Sequence, residues 1–250
     1  PQRFDEVVGQ IHITRTLQNA IGMDRVAHGY LFSGPRGVGK TSTARILAKV
    51  LSCENPQDKN PCNKCANCRN ITKGSNLDVQ ELDGASNRGI DEIRELREAI
   101  KYPPSRGEYR IYIIDEVHML TPQAFNALLK TLEEPPPHII FIMATTDAHK
   151  VPATILSRTQ KFDFKPIAVN DISTYLKGIL DSEKRTYEKE GIPLIAQKAD
   201  GSLRDALSLL DQVIAYTDKT IDVVTVRDVL GIIEENVFLD IISFINEKKY

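Results

Sequence analysis

The most specific chemistry in the chain is carried by eight consecutive residues, Gly34-Pro35-Arg36-Gly37-Val38-Gly39-Lys40-Thr41. They follow a short apolar run and precede a segment of helical period. Glycines let a backbone curl until successive N–H groups point at one anion. A helix N-terminus behind the loop adds positive potential, the lysine neutralises phosphate charge, and the threonine hydroxyl can ligate Mg²⁺. The pattern predicts a phosphate-binding loop; a glycine-rich turn that binds nothing is the bland alternative. Such a loop needs an acid at the end of a neighbouring buried strand to hold the metal's water shell. Arg110–Ile114 followed by Asp115-Glu116 supplies it. Asp115 is expected on the Mg²⁺ side, with Glu116 as general base for the attacking water. Alone, an acid pair after a strand reads equally as the start of a helix; coupled to the loop, it reads as a nucleotide site.

A second constellation lies close by. Cys53, Cys62, Cys65 and Cys68 are separated by eight, two and two residues, and these are all the cysteines of the chain. Four thiolates within so short a stretch can wrap one tetrahedral ion. A structural Zn²⁺ is the expected occupant. An iron–sulfur cluster is the rival, since C-x₂-C-x₂-C also occurs in ferredoxins, and free or redox-active thiols are a third reading. Four protein ligands leave no open coordination position, so the role is structural. Clustered rather than dispersed cysteines also point to a reducing compartment.

Positioning these groups requires a sheet. Apolar runs at Tyr30–Ser33, Leu77–Leu82, Arg110–Ile114, Ile139–Ala144 and Lys161–Phe164 read as strands. They alternate with helical periods at Thr41–Leu51, Ile90–Lys101 and Pro122–Leu132. In the last, Phe125, Leu128, Leu129 and Leu132 recur at i, i+3, i+4 and i+7, a single buried stripe. The alternation predicts an α/β core with a parallel sheet covered on both faces. After Lys165-Pro166 only helical segments follow, near 170–189, 192–200, 202–216, 222–230 and 236–248. Pro166, with its fixed φ and missing donor, is the expected hinge. Ser202 should cap the third of these helices, with Asp205 completing a capping box.

Composition narrows the class. The 250 residues are 41% hydrophobic and 26% charged, an ordinary globular balance. The longest apolar run, Ile139 to Ala144, is far short of the ~20 residues a membrane helix needs. Charges of 32 and 34 leave a net of −2, so any nucleic-acid surface must be local. No charged-then-apolar leader opens the chain, and a soluble cytoplasmic protein is expected. The first residue is Pro1 rather than Met, so a processed or trimmed start is also expected.

Beyond the loop and the cysteines, the runs Ile114-Asp115-Glu116-Val117-His118-Met119-Leu120 and Asn126-Ala127-Leu128-Leu129-Lys130-Thr131-Leu132-Glu133-Glu134-Pro135-Pro136 stand in order along the chain. Ala144-Thr145-Thr146-Asp147, Ile155-Leu156-Ser157-Arg158 and Gly201-Ser202-Leu203-Arg204-Asp205-Ala206-Leu207 continue the series. Together they resemble the bacterial clamp-loader ATPases, the tau/gamma family of DNA polymerase III subunits, which are AAA+ proteins. The resemblance implies a five-stranded AAA+ core at 1–165 with the zinc-binding insertion at 53–68. It further implies a small three-helix lid at 166–231 and the start of a truncated collar at 232–250. Thr146 resembles the sensor 1 position that reads the γ-phosphate, and Arg204 resembles sensor 2. Arg158 looks like the finger offered to a neighbouring subunit. Val8, within Val7-Val8-Gly9-Gln10, resembles the box that frames the adenine. Where family members generally show Ser-Arg-Cys, this chain has Ser157-Arg158-Thr159.

The implied function is an ATP-hydrolysing motor subunit that loads the sliding clamp onto primed DNA for the replicative polymerase. ATP and Mg²⁺ are its cofactors; its partners are the other subunits of a hetero-pentameric ring, the clamp and primed-template DNA. The piece alone, lacking a collar, is expected to be monomeric. A non-hydrolysing scaffold subunit of the same assembly is the alternative, and an AAA+ helicase of the Holliday-junction type a third, though the cysteine insertion has no place there. On the segment Ile90–Lys101, Arg94, Arg97 and Lys101 cluster beside an apolar stripe. They read either as a DNA-backbone contact or as a solvated face of i,i+3 and i,i+4 ion pairs.

Overall fold

The computed structural model describes residues 1–86, 89, 95–96, 98–217, 220–232 and 243. Five parallel strands form the sheet: β1 (Gly29–Ser33), β2 (Val79–Asp83), β3 (Arg110–Asp115), β4 (Ile139–Thr145) and β5 (Gln160–Asp163). Their order in the sheet is β2-β3-β4-β1-β5. β1 and β4 are buried at every residue, as strands covered on both faces must be. Alternate side chains divide between two cores. Tyr30, Phe32, Ile111, Ile113, Ile140 and Ile142 meet the helices of one face. These are α1 (Ile11–Gly22), α2 (Lys40–Leu51) and α3 (Ala66–Thr72). Leu31, Tyr112, Ile114, Phe141 and Met143 meet the other face. There α4 (Pro122–Glu133) contributes the expected stripe of Phe125, Leu128 and Leu132, and α5 (Ala153–Leu156) contributes Ile155.

The chain divides into two compact units, Pro1–Pro166 and a second beginning at Ile167. The second unit contains α6 (Val169–Ser182), α7 (Gly191–Lys198), α8 (Leu203–Tyr216) and α9 (Val223–Leu230). Buried Ile172, Leu176 and Leu180 of α6, Ile192 and Ile195 of α7, and Leu210 and Val213 of α8 supply its apolar faces. Ser202 caps α8 by accepting from the Asp205 N–H at 3.2 Å. Its own N–H donates to Ala199 O at 2.9 Å.

Several boundaries differ from expectation. α6 stops at Ser182 rather than near 189, because Lys184 takes a left-handed φ of 56° and Arg185 N–H closes back on Leu180 O. β2 begins at Val79 rather than Leu77, because the Asn76 side chain accepts from the N–H groups of both Asp78 and Val79. α1 and α3 were not expected. α1 opens on Gln10 without a side-chain cap, and α3 sits inside the polar cysteine stretch, with Cys65 as its N-cap. The anticipated helices at Ile90–Lys101 and near 236–248, and most of the collar segment 232–250, lie outside the described residues. The positions described within 90–101 include helical residues 95–96 and 98–99.

Candidate functional site

The strand order places the C-terminal ends of β3, β4 and β1 side by side, with Ser33 opposite Thr145. In open parallel sheets ligands bind at this edge. The loop leaving β1 turns at Gly34, whose N–H donates to Thr145 O at 3.3 Å. A Cβ on Gly34 would stand 2.3 Å from Phe164 O, and its φ is +142°, so only glycine fits. Gly37 and Gly39 also have positive φ, curling the loop into the N-terminus of α2. Lys40 is buried, and its ammonium donates to Gly34 O at 2.8 Å and Pro35 O at 2.6 Å. These bonds hold the charge across the loop. Pro35 and Arg36 are exposed at the rim, while Val38 is buried in the core below.

Across the sheet edge, Thr41 Oγ1 donates to Asp115 Oδ2 at 2.7 Å, joining residues 74 positions apart. The two expected Mg²⁺-side groups are therefore adjacent, and their oxygens suit a hard cation. Glu116 follows in a left-handed backbone (φ 46°, ψ 46°), unusual for a non-glycine residue and typical of functional turns. Its Oε2 accepts from the Thr146 hydroxyl at 2.9 Å and from the Thr146 N–H at 3.3 Å. The acid pair and Thr146 thus form one group beside the phosphate loop.

The four cysteines converge as well. Their sulfurs all lie within 4.8 Å of one another, with Cys62 and Cys68 4.0 Å apart. Tetrahedral ligands at 2.3 Å from one ion stand about 3.8 Å apart, so the cluster is compatible with zinc. Backbone N–H groups of Lys64 and Cys65 point at Cys62 Sγ at 3.4 and 3.3 Å. Those bonds hold its thiol down to about 6, which favours the thiolate a metal requires. Cys68, fully buried, is pushed up by desolvation.

A family model described as "DNA polymerase III, delta subunit" matches residues 9–168, and one described as "DNA polymerase III clamp loader subunit, ATPase lid domain" matches 171–219. The chain is 56% identical to DNA polymerase III subunit tau of Bacillus subtilis over 230 residues, 92% of this chain and 40% of that one. It is 47% identical to subunit tau of Escherichia coli, covering 97% of this chain and 38% of the relative. Subunit gamma of Buchnera aphidicola is 45% identical, with 99% and 67% covered. The chain belongs to the tau/gamma family of DNA polymerase III clamp-loader subunits.

It spans about 40% of the length of the tau relatives. Among solved structures, the Holliday junction branch migration motor RuvB of Thermotoga maritima aligns with a TM-score of 0.68 over 93% of this chain and 72% of its own. At 19% identity that likeness shows the AAA+ fold alone. The lid model spans α6 to α8, three helices. No helix of the described residues is long and apolar enough to cross a membrane.

The remaining residues expected from the family fall as follows. Val8 is half-buried. Its neighbour Val7 is fully packed and would touch a Cβ on Gly39 at 3.8 Å. Arg204 is exposed on the first turn of α8, in the second unit. Arg158 is tied within its own chain, donating to Glu133 Oε1 at 2.9 Å and to Thr154 O at 2.9 Å. Lys101 pairs with Glu98 at 2.5 Å, the ion-pair arrangement weighed for that face, whereas Arg94 and Arg97 lie outside the described residues. Sequence reasoning missed two participants. His118 Nδ1 lies 2.9 Å from Thr145 Oγ1 and 3.3 Å from Glu116 Oε2. Asn60, in the cysteine stretch, is buried and accepts from the Phe4 N–H at 2.8 Å.

Proposed function

We propose that this chain is the ATP-hydrolysing motor portion of a clamp-loader subunit that places the sliding clamp on primed DNA, within a ring of related subunits. The observation that carries the reading is the Thr41–Asp115 hydrogen bond, with Glu116 next in sequence and Lys40 across the loop. In this reading Gly34 to Thr41 cradle the phosphates, Lys40 neutralises them, and Val8 borders the base. Thr41 and Asp115 would hold Mg²⁺, which when bound neutralises charge on the transferring phosphoryl group. Glu116 takes the proton of the attacking water, and Thr146 links that carboxylate to the γ-phosphate. Arg204 senses nucleotide from the lid, and Arg158 serves a neighbour's site. Cys53, Cys62, Cys65 and Cys68 hold a structural Zn²⁺, whose binding energy becomes folding energy.

The contrast between two variants of the full-length protein, reassembled with its partner subunits, clamp and primed DNA, tests this. Lys40→Ala should abolish ATP binding, because Lys40 touches ground-state phosphates. Glu116→Gln should retain binding and lose turnover by roughly 10²–10⁴, because a general base acts mainly in the transition state. Parental turnover by Glu116→Gln would refute the base assignment. ATP binding without DNA-stimulated turnover in the parent would favour the scaffold reading, and strand unwinding the helicase reading.

A further inference from the structure

The Glu116 carboxylate is held from two sides, by Thr146 and by His118. Among the described residues, the hydrogen bonds and ion pair of this carboxylate all fall on Oε2: the Thr146 hydroxyl, the Thr146 N–H, and His118 Nδ1 at 3.3 Å. The side chain of His118 is only 9% exposed, so its ring is fixed by packing. It belongs to the 3₁₀ turn Val117–Met119 that follows the acid pair. The same Nδ1 lies 2.9 Å from the hydroxyl of Thr145, which also accepts from the Asp147 N–H at 3.0 Å. One imidazole edge therefore braces both partners of the Glu116–Thr146 contact. It faces the carboxylate directly, and it fixes the 145–147 turn that carries Thr146.

With its hydrogen on Nδ1, the ring donates to the Thr145 hydroxyl at 2.9 Å, and the same N–H stands 3.3 Å from Oε2, an oxygen that can only accept. Thr146 donates twice to Oε2 and His118 Nδ1 stands against the same oxygen, so among the described residues Oε1 is the oxygen left to take a proton. We propose that His118 is a positioning residue for catalysis: its Nδ1–H holds Glu116 with Oε1 presented to water and keeps Thr146 in register with it. The inference rests on the reading of Glu116 as the general base. These side-chain bonds reach neither the phosphate loop nor Asp115, and the loop's own tie to β4, Gly34 N–H to Thr145 O, is a backbone bond that substitution of His118 leaves in place, so its loss acts on turnover and not on nucleotide binding. Small misplacements of a catalytic group are costly, about a hundredfold for roughly 1 Å.

The test uses the full-length protein in its reassembled complex, with nucleotide affinity and steady-state ATPase measured on the same samples. His118→Phe keeps a planar ring and removes the donor. It should leave the ATP Kd unchanged and lower kcat by about ten- to a hundredfold. His118→Asn, whose amide nitrogen lies near the Nδ1 position, should recover most of the rate. His118→Gln, with its donor one bond further out, should not. In a Glu116→Gln background, His118→Phe should cost nothing more, because residues acting through one another are not additive. Glu116→Gln inactive with His118→Phe at the parental kcat would overturn the positioning role while leaving the base assignment intact. Equal rates for His118→Asn and His118→Gln would overturn it too, and that comparison stands even where the phenylalanine variant fails to fold. Parental turnover by Glu116→Gln would overturn the base assignment, and the positioning role with it.

Discussion

A single methyl group on Gly34 would meet Phe164 O at 2.3 Å, a backbone atom that cannot swing aside. Relief requires moving either the loop or the chain leaving β5, and both carry the site. Gly34→Ala should therefore destabilise the first unit by ~2–3 kcal/mol and abolish nucleotide binding, read by denaturant unfolding and nucleotide titration. Beside it, Ser33 Oγ donates to Asp163, and Lys161 lies 3.0 Å from the same carboxylate. The serine bond first, then the lysine, hold Asp163 below its ordinary value of 3.8. A carboxylate favoured in the folded state adds stability above its unfolded pKa, which is lost as pH falls below about 4. Asp163→Asn should thus cost more stability at about pH 7 than at about pH 3, measured by urea midpoints. No difference between the two would mean that buried Ser33 and the exposed Lys161 contribute nothing through this charge.

At the scale of elements, the groups that were legible in the sequence are those fixed by local pattern. The phosphate loop declares itself because its glycines, lysine and threonine act within eight residues. The inner strands β1, β3 and β4 do so because a buried parallel strand is a nearly uninterrupted apolar run, whereas the edge strands β2 and β5 are mostly polar and exposed. What stayed hidden depends on contacts across the fold. The order β2-β3-β4-β1-β5, which seats Thr146 beside Glu116, leaves no local trace. His118 is three residues from Asp115, but a lone histidine there carries no signal until β4 is alongside. α3 was concealed by its polar composition, since Cys65 caps it as a serine would. Asn60 was concealed for a similar reason. In the folded chain the cysteine stretch grips the N-terminal segment through the Asn60–Phe4 bond and a bond from Asn63 to Gln2 O at 3.3 Å. Lys49 of α2 also reaches Asn63, at 3.0 Å. Val7, three residues on, packs beside Gly39 of the phosphate loop. The cysteines are thus linked to the nucleotide site, although they contribute nothing to its chemistry. Metal analysis should find one Zn²⁺ per chain, and Cys65→Ser should release it and lower the melting temperature. Asn60→Ala, with every cysteine intact, should keep the zinc, cost ~1–3 kcal/mol and weaken ATP binding. Iron in place of zinc would overturn the metal assignment. Parental ATP affinity in Asn60→Ala would break the link to the loop.

For the whole molecule the open question is where the last positive charge on the γ-phosphate comes from. In the proposed mechanism Lys40 neutralises from below, and Thr41 and Asp115 serve the metal side. The candidate that the family resemblance offers is Arg158, after α5, and here it is engaged in its own chain with Glu133 and Thr154. Its side chain is about one-third exposed, and that of Glu133 half exposed. Such a surface pair is worth little, about 0–1 kcal/mol, so an incoming phosphate could displace it at small cost. In the proposed ring the phosphate would come from the next subunit's site, and guanidinium groups delivered in this way accelerate phosphoryl transfer by about 10³–10⁵. The isolated chain should accordingly bind ATP yet turn it over slowly. In the reassembled ring, Arg158→Ala should leave each subunit's own ATP affinity unchanged and remove the stimulated turnover. Glu133→Ala frees the arginine without removing it, and should leave stimulated turnover intact or raise it slightly. If Arg158 were only a partner for Glu133, the two alanine variants would instead behave alike, each losing a fraction of a kcal/mol of stability with turnover unchanged.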